Sequence, residues 1–155
     1  MSQTYIPADI RRSVTEAARY RCGYCLTSQL IVAIPMHVEH IIPLASGGET
    51  VIENLWLACP LCNGYKGIQT HAVDPETDER VPLYNPRTQN WREHFAWSAD
   101  GTQIVGQTPV GKTTVVALRL NNWRFYLFQS FNISSAASRP GPPVMPPPGC
   151  VPDPH

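Results

Sequence analysis

The residues best suited to chemistry lie in one stretch of the chain, between positions 22 and 66. Two cysteine pairs with C-x-x-C spacing stand at its ends: Cys22, Cys25, Cys59 and Cys62. Four thiolates satisfy the tetrahedral preference of Zn²⁺ and leave no open position for a substrate, so this set is typical of a structural zinc site. The alternative is a set of free or redox-active thiols, although the surrounding sequence lacks the βαβ pattern of a thioredoxin-like motif.

A second group of polar residues lies between and beside these pairs. Glu39 and His40 are adjacent, Asn63 follows a cysteine directly, and Lys66 lies one helical turn after Asn63. Carboxylate and amide oxygens are hard ligands suited to Mg²⁺, and a neutral imidazole can take a proton from water near pH 7. Lys66 would meet a phosphate oxygen. The simpler interpretation of His40 is a structural histidine whose ring is satisfied by hydrogen bonds.

The spacing of apolar residues and the positions of prolines predict the helices and strands that position these residues. Pro7 and an apolar stripe at helical spacing predict an N-terminal helix. The apolar segment 30–34 is expected to lead into a first strand over 38–42, and a second strand is expected over 55–58. A helix that begins at Pro60 would then carry Asn63 and Lys66. Adjacent strand residues point to opposite faces, so a twist or bulge would be needed to bring Glu39 and His40 to one rim.

Further along, the signals are those of short elements. A strand is expected over 81–84, and an Ala-Asp-Gly turn at 99–101 predicts a hairpin between 95–97 and 104–105. Thr108 and Pro109 are typical of the N-cap and first residue of a helix, which predicts a helix over 110–120, although the Thr and Val content of that segment also suits a strand. The string G-x-x-x-x-G-K-T at 106–113 fits a phosphate-binding loop, but no following strand that ends in Asp accompanies it, so no nucleotide cofactor is expected.

Composition bounds the classes of function. The chain has 155 residues, one domain in length, with 12 Lys plus Arg against 12 Asp plus Glu, so any phosphate-binding surface must be local. No apolar run approaches the length of a membrane span, and the first residues show no secretory signal. We therefore expect a cytoplasmic protein without membrane contact. A reducing compartment favours metal over disulfides for the paired cysteines, and the oligomeric state stays open.

The motifs E-H-I-I-P-L, S-G-G, E-N-L and C-N-G-Y-K-G together resemble HNH endonucleases of the ββα-metal group that carry an added four-cysteine zinc site. The resemblance implies that Glu39 and Asn63 bind a catalytic divalent metal, that His40 is the general base and that Asn54 braces the loop between the strands. The chain would be an H-N-N variant, with Glu in place of the commoner Asp before the base.

The segments I-P-A-D-I-R-R, V-P-L-Y-N-P-R and G-x-T-P-x-G-K extend the resemblance to a bacterial branch of HNH proteins. It implies an α+β fold, with a ββα-metal core and zinc-knuckle pairs, an N-terminal helix and a small C-terminal α/β extension. The nuclease domain would span 1–122, with its core at 22–70. Residues 123–155 match nothing in that branch, and 8 of the last 17 residues are Pro, which predicts an extended or disordered tail.

The implied activity is hydrolysis of DNA phosphodiester bonds that leaves a 5′-phosphate and a 3′-hydroxyl. His40 would activate water, oriented by a backbone carbonyl, and one metal ion, Mg²⁺ or another divalent cation, would relieve charge on the leaving oxygen. Lys66 and Arg87 are the predicted phosphate contacts. The alternative is a zinc-stabilised module that binds nucleic acid, or another partner, without cleaving it.

Overall fold

The computed structural model describes residues 5–122, in which short helices alternate with two-stranded antiparallel sheets. The helices are α1 (Ala8–Ala17), α2 (Gln29–Val32), α3 (Pro60–Lys66), α4 (Trp91–His94) and α5 (Pro109–Ala117). The strands are β1 (His37–His40), β2 (Leu55–Ala58), β3 (His71–Val73), β4 (Arg80–Pro82), β5 (Phe95–Trp97) and β6 (Ile104–Gly106). This mixture of helices and small strand pairs is the predicted α+β class, and no described helix has the length and apolar character to cross a membrane.

The centre of the fold is a β-hairpin followed directly by a helix. β1 pairs with β2 in a register that sets His40 opposite Leu55 and His37 opposite Ala58. All four residues of β2 are buried. Leu55 packs against Val14 of α1, whereas Ala58 packs in the core that contains the cysteine pairs. α3 follows β2 immediately, with Pro60 as its first residue. The order strand, strand, helix is the predicted core arrangement, although β1 is shorter than the predicted 38–42.

The apolar segment before β1 contains a short helix. Residues 30–34 lead into β1, as predicted, and they include most of the single helical turn of α2, which the Ala33 amide closes on the Gln29 carbonyl at 3.0 Å. The Gln29 amide in turn donates to the carbonyl of Tyr20 at 2.8 Å, which ties the turn to the end of α1. Leu30 is 73% exposed, so this apolar run is not a buried strand. Local hydrogen bonding outweighs the β-propensity of the segment.

The C-terminal part adds two hairpins, β3–β4 and β5–β6, and the helices α4 and α5, and its side chains share one hydrophobic core with the cysteine pairs. The indole nitrogen of Trp91 donates to the Tyr24 carbonyl at 2.9 Å and so joins the two parts. The predicted hairpin at 95–105 is present, and the Thr108 hydroxyl caps α5. The strand expected over 81–84 is shifted to β4, α5 ends at Ala117 rather than at 120, and the predicted tail at 123–155 lies outside the described residues.

The glycines of the G-x-x-x-x-G-K-T string have a packing role. A Cβ at Gly106 would collide with the backbone of Lys112, and one at Gly111 would collide with the carbonyl of His94. These glycines let β6, α4 and α5 approach closely. The Lys112 amino group forms an ion pair with Glu76 at 2.8 Å.

Candidate functional site

The four cysteines of the two C-x-x-C pairs meet in one cluster beneath the hairpin. Their Sγ atoms all lie within 4.8 Å of one another, every one is buried, and the Cys25 and Cys59 sulfurs are 3.8 Å apart. A tetrahedral zinc site with bonds of about 2.3 Å has sulfur–sulfur edges of about 3.8 Å. Burial raises the pKa of Cys62 well above that of a free thiol, and a bound cation would reverse this effect by deprotonating it. Both the donor set and its spacing fit a structural zinc.

The cage also sets the start of α3. Cys59 is the N-cap of this helix, and its Sγ accepts a hydrogen bond from the Cys62 amide at 3.4 Å. The first turn of α3 is thereby fixed to the sulfur cluster, and Asn63 on the next position is fixed with it.

On one face of β1, Glu39 lies in a buried polar network. The Tyr24 hydroxyl donates to Oε1 of Glu39, and the Lys66 amino group lies 3.5 Å from Oε2. Glu39, Tyr24 and Lys66 are 6%, 0% and 2% exposed. Burial raises the pKa of Glu39 to about 7, while Lys66 and the Tyr24 hydrogen bond oppose the rise. The carboxylate is therefore held in place by groups that also stabilise its charge.

On the opposite face, His40 is half-buried at the end of β1. Its Nε2 lies 2.9 Å from the hydroxyl oxygen of Thr50, a residue of the loop that leads to β2. Burial lowers the pKa of His40, and the nearby positive charge of Lys66 lowers it further. The ring is thus kept neutral near pH 7, the form that accepts a proton. A backbone carbonyl was expected as the orienting group, whereas the structure places a side-chain hydroxyl there.

Asn54 closes the loop between the strands. Its Oδ1 accepts from the Ile42 amide, and its Nδ2 donates to the carbonyls of Ile42 and Glu49, each at 2.9 Å. These are hydrogen bonds of the kind a loop brace must make. Gly48 belongs to the same arrangement, since a Cβ there would collide with the Ile42 carbonyl.

The predicted catalytic metal ligands, Glu39 and Asn63, differ in their accessibility. Asn63 is half-exposed on α3, and its side chain makes no hydrogen bond to another described residue. Oε2 of Glu39 has only the 3.5 Å contact with Lys66, longer than an ordinary hydrogen bond, so it keeps lone pairs for a cation. One carboxylate and one amide fit Mg²⁺, which retains several waters. Apart from the cage, no group of three or more His, Cys, Asp or Glu side chains gathers within residues 5–122.

The two predicted phosphate contacts are placed differently from the expectation. Lys66 donates to the Ile41 and His40 carbonyls at 3.0 and 3.3 Å and is buried, so its amino group does not face solvent. Arg87 lies over the Trp56 ring, 4.6 Å from its centroid, and donates to the Leu55 carbonyl at 3.0 Å. Both cations are held within the protein, because the hairpin offers them carbonyl oxygens and, for Arg87, an aromatic face.

Two residues that contact the site, Tyr24 and Thr50, were not among the predicted site residues. Tyr24 lies between the two cysteines of the first C-x-x-C pair, and Thr50 directly follows the S-G-G-E segment. Neither belongs to a short motif. The sequence offered one signal for these two residues, their position: Tyr24 is next to a predicted zinc ligand, and Thr50 is next to the S-G-G-E segment.

Comparison with protein families gives a match to part of the chain. Residues 22–69, which hold the cage, the hairpin and α3, match the model of the HNH endonuclease family. No curated protein and no solved structure gives a significant match to the chain. The segment 22–69 therefore carries the signature of the HNH endonuclease family, together with four clustered cysteines that fit a zinc site.

Proposed function

We propose that this chain is a metal-dependent endonuclease that hydrolyses phosphodiester bonds of DNA. One observation carries the proposal: within the HNH-matched segment, His40 stands half-buried at the end of β1, with Nε2 held by Thr50. Its other ring nitrogen, Nδ1, makes no hydrogen bond to a described residue. A neutral imidazole with one nitrogen held and the other free has the form of a general base.

In the proposed mechanism, His40 removes a proton from a water molecule as the water oxygen attacks phosphorus. The new P–O bond forms as the bond to the leaving oxygen breaks, and the proton from water stays on the imidazole. The lowered pKa of His40 keeps the base unprotonated at neutral pH, while the end of β1 keeps it accessible. A positioned base of this kind contributes about 10²- to 10⁴-fold to the rate.

Glu39 and Asn63 are the residues that would hold the catalytic divalent cation. When bound, such a cation neutralises charge on the phosphate and on the leaving oxygen. The contribution of the chain is to fix each donor on its own element: Glu39 on β1 through Tyr24, and Asn63 on α3 through the cage. DNA is the proposed partner, bound through local charges because the formal net charge of the chain is zero.

A second function has a specific observation in its favour. Glu39 already has a hydrogen-bond donor and an ammonium group as neighbours, as expected of a carboxylate with a structural role. The chain would then be a zinc-stabilised module that binds nucleic acid without cleaving it. Supercoiled plasmid that stays intact with the parental protein in Mg²⁺, Mn²⁺, Co²⁺ and Ni²⁺, alongside a gel shift of the same DNA, would establish this alternative.

The test of the nuclease proposal is His40→Ala. We expect plasmid cleavage in Mg²⁺ or Mn²⁺ to fall by about 10²- to 10⁴-fold. Zinc content, melting temperature and DNA affinity should stay near the parental values, because His40 acts on the attacking water and not on the bound DNA. The matched control is His71→Ala, an exposed histidine of β3, which should cleave like the parent. Cleavage by His40→Ala at the parental rate would refute the role of His40 as base.

A further inference from the structure

We propose that Thr50 is a positioning residue for His40: its hydroxyl oxygen accepts a hydrogen bond from Nε2–H, so that the proton stays on Nε2 and the free lone pair is on Nδ1. This inference rests on the proposed function for its catalytic meaning, but the hydrogen bond and the tautomer can be tested without any cleavage assay. Thr50 belongs to no motif that led to the nuclease proposal. Its role follows from its place beside the ring.

The contact itself is well formed. The Nε2–Oγ1 distance of 2.9 Å is that of a normal hydrogen bond, and both side chains are half-buried. A threonine hydroxyl can accept or donate, so the contact allows two states. If the hydroxyl donates to Nε2, Nδ1 carries the ring proton and cannot act as the base. If the hydroxyl accepts from Nε2–H, Nδ1 is the basic nitrogen, and this is the state we assign.

The loop around Thr50 is built to bring it to this position. The Asn54 amide donates to the carbonyl of Glu49, the residue directly before Thr50, at 2.9 Å. Gly48 lies so close to the Ile42 carbonyl that no larger residue fits without displacement of the loop. The backbone on the N-terminal side of Thr50 is thereby held against the residues that follow β1. These tertiary contacts, together with the side-chain rotamer, place the Thr50 hydroxyl beside the ring.

The chemistry explains why such a partner matters. The two ring nitrogens of histidine are distinct, and the hydrogen bond that one makes decides which of them carries the proton. Partners that orient metal-bound histidines in this way typically contribute about 10- to 100-fold to activity. Thr50 also prevents rotation of the ring, so its removal should reduce the fraction of molecules that present Nδ1 to water.

The experiment compares Thr50→Val, which keeps the shape but lacks the hydroxyl, with Thr50→Ser, which keeps the hydroxyl. We expect Thr50→Val to lower kcat for plasmid cleavage about 10- to 100-fold with little change in KM. Thr50→Ser should recover most of that loss. Zinc content and melting temperature, measured on all three proteins, should be alike. Equal kcat for parent and Thr50→Val, or no recovery in Thr50→Ser, would overturn the proposal.

The tautomer is measured by NMR of ¹⁵N-labelled histidine rings, with the His40 signals identified by their loss in His40→Ala. The parent should show the Nε2–H tautomer, and Thr50→Val should show a mixture. A parental ring protonated on Nδ1 would overturn the assignment. If the parent cleaves no DNA but shows the Nε2–H tautomer and Thr50→Val loses it, the positioning role stands and the proposed nuclease function fails.

Discussion

The two faces of β1 hold their polar groups in different surroundings. On what we call the buried face, Tyr24 and Lys66 both contact Glu39, and all three residues are almost without exposure to solvent. On the open face, His40 and Thr50 are half-buried. Glu39 and His40 are neighbours in sequence, and the alternation of side chains along a strand sends them to opposite faces. Adjacent residues of one four-residue strand thus lie in different surroundings, Glu39 in the buried network and His40 at a half-buried position.

The buried face depends on complete pairing. The Lys66 ammonium has three donors and three oxygen neighbours: the carbonyls of Ile41 and His40 at 3.0 and 3.3 Å, and Glu39 at 3.5 Å. A charge in this position without partners costs several kcal/mol, so removal of one member harms the others. The buried face therefore contributes to stability and to the placement of Glu39.

The open face depends on the loop, which Asn54 holds to the end of β1 by hydrogen bonds. Loss of the His40 ring leaves no buried charge behind, so the cost to stability is small. α3 is the element that connects the two faces to the cage. Cys59 and Cys62 fix its first turn, and Lys66 in its last turn is fixed by the buried face. The two faces differ in what removal of a side chain costs: a charge left unpaired on the buried face, and only a hydrogen bond on the open face.

The largest expected effect is at the cage. Cys59→Ser removes one zinc ligand and the sulfur that caps α3, so the helix that presents Asn63 should unfold. Structural zinc is worth on the order of 10 kcal/mol in small domains, comparable to the net stability of most domains. We expect loss of bound zinc by metal analysis and loss of the cooperative thermal transition.

The matched control for the cage is Cys150→Ser, which removes a cysteine that belongs to neither C-x-x-C pair. This variant should keep one zinc per chain and the parental melting temperature. Well-folded parental protein without zinc would contradict the assignment of the cage.

A second prediction separates the faces directly. Lys66→Met leaves the Glu39 carboxylate buried without its ammonium partner, and breaking a buried pair typically costs about 3–5 kcal/mol. Denaturant unfolding should show a loss of this size, against a small change for His40→Ala. The double variant Lys66→Met with Glu39→Gln should lose less than the sum of the single changes, because it removes the unpaired charge.

The same variant also tests the original expectation that Lys66 contacts a phosphate. Suppose that Lys66→Met keeps the parental free energy of unfolding but binds DNA more weakly and with a reduced salt dependence. Lys66 would then contact a phosphate, and its assignment as a stabilising buried partner of Glu39 would be wrong.

Local spacing was enough to predict the framework of the site. The cysteine pairs, the hairpin strands and the helix that starts at Pro60 follow from motifs a few residues long, and each is present in the structure. The end of β1 was overestimated because Ile41 and Ile42 have high β-propensity, whereas Ile42 instead bonds to the Asn54 side chain. β-Propensity is a property of single residues, whereas strand pairing ends where the backbone of Ile42 bonds to the Asn54 side chain.

Tertiary burial was not predictable in the same way. Lys66 and Arg87 read as solvent-facing cations because cations usually are, and only the folded chain shows the carbonyls that they bind. Tyr24 and Thr50 gave no signal for a related reason. Their partners Glu39 and His40 lie 15 and 10 residues away, and a contact over that separation has no spacing rule.

The smallest expected effect is at Arg87, where the C-terminal part meets the hairpin. Its guanidinium covers one side of the Trp56 ring, while Gly23 lies so close to that ring that a Cβ would collide with it. Lysine at position 87 keeps the charge but loses the planar stacking and the directed hydrogen bond to Leu55. We expect Arg87→Lys to lower the free energy of unfolding by about 1–2 kcal/mol.

Thermal unfolding measures this loss as a decrease in melting temperature of about 2–8 °C. DNA affinity and its salt dependence should stay at the parental values, because the guanidinium is held by the hairpin. The matched control is Arg80→Lys, at an exposed arginine of β4, which should change neither quantity. An unchanged melting temperature combined with weaker DNA binding by Arg87→Lys would instead place Arg87 on the phosphate backbone. The DNA-binding surface would then include Arg87, on the face of the hairpin where Trp56 pairs with Glu39.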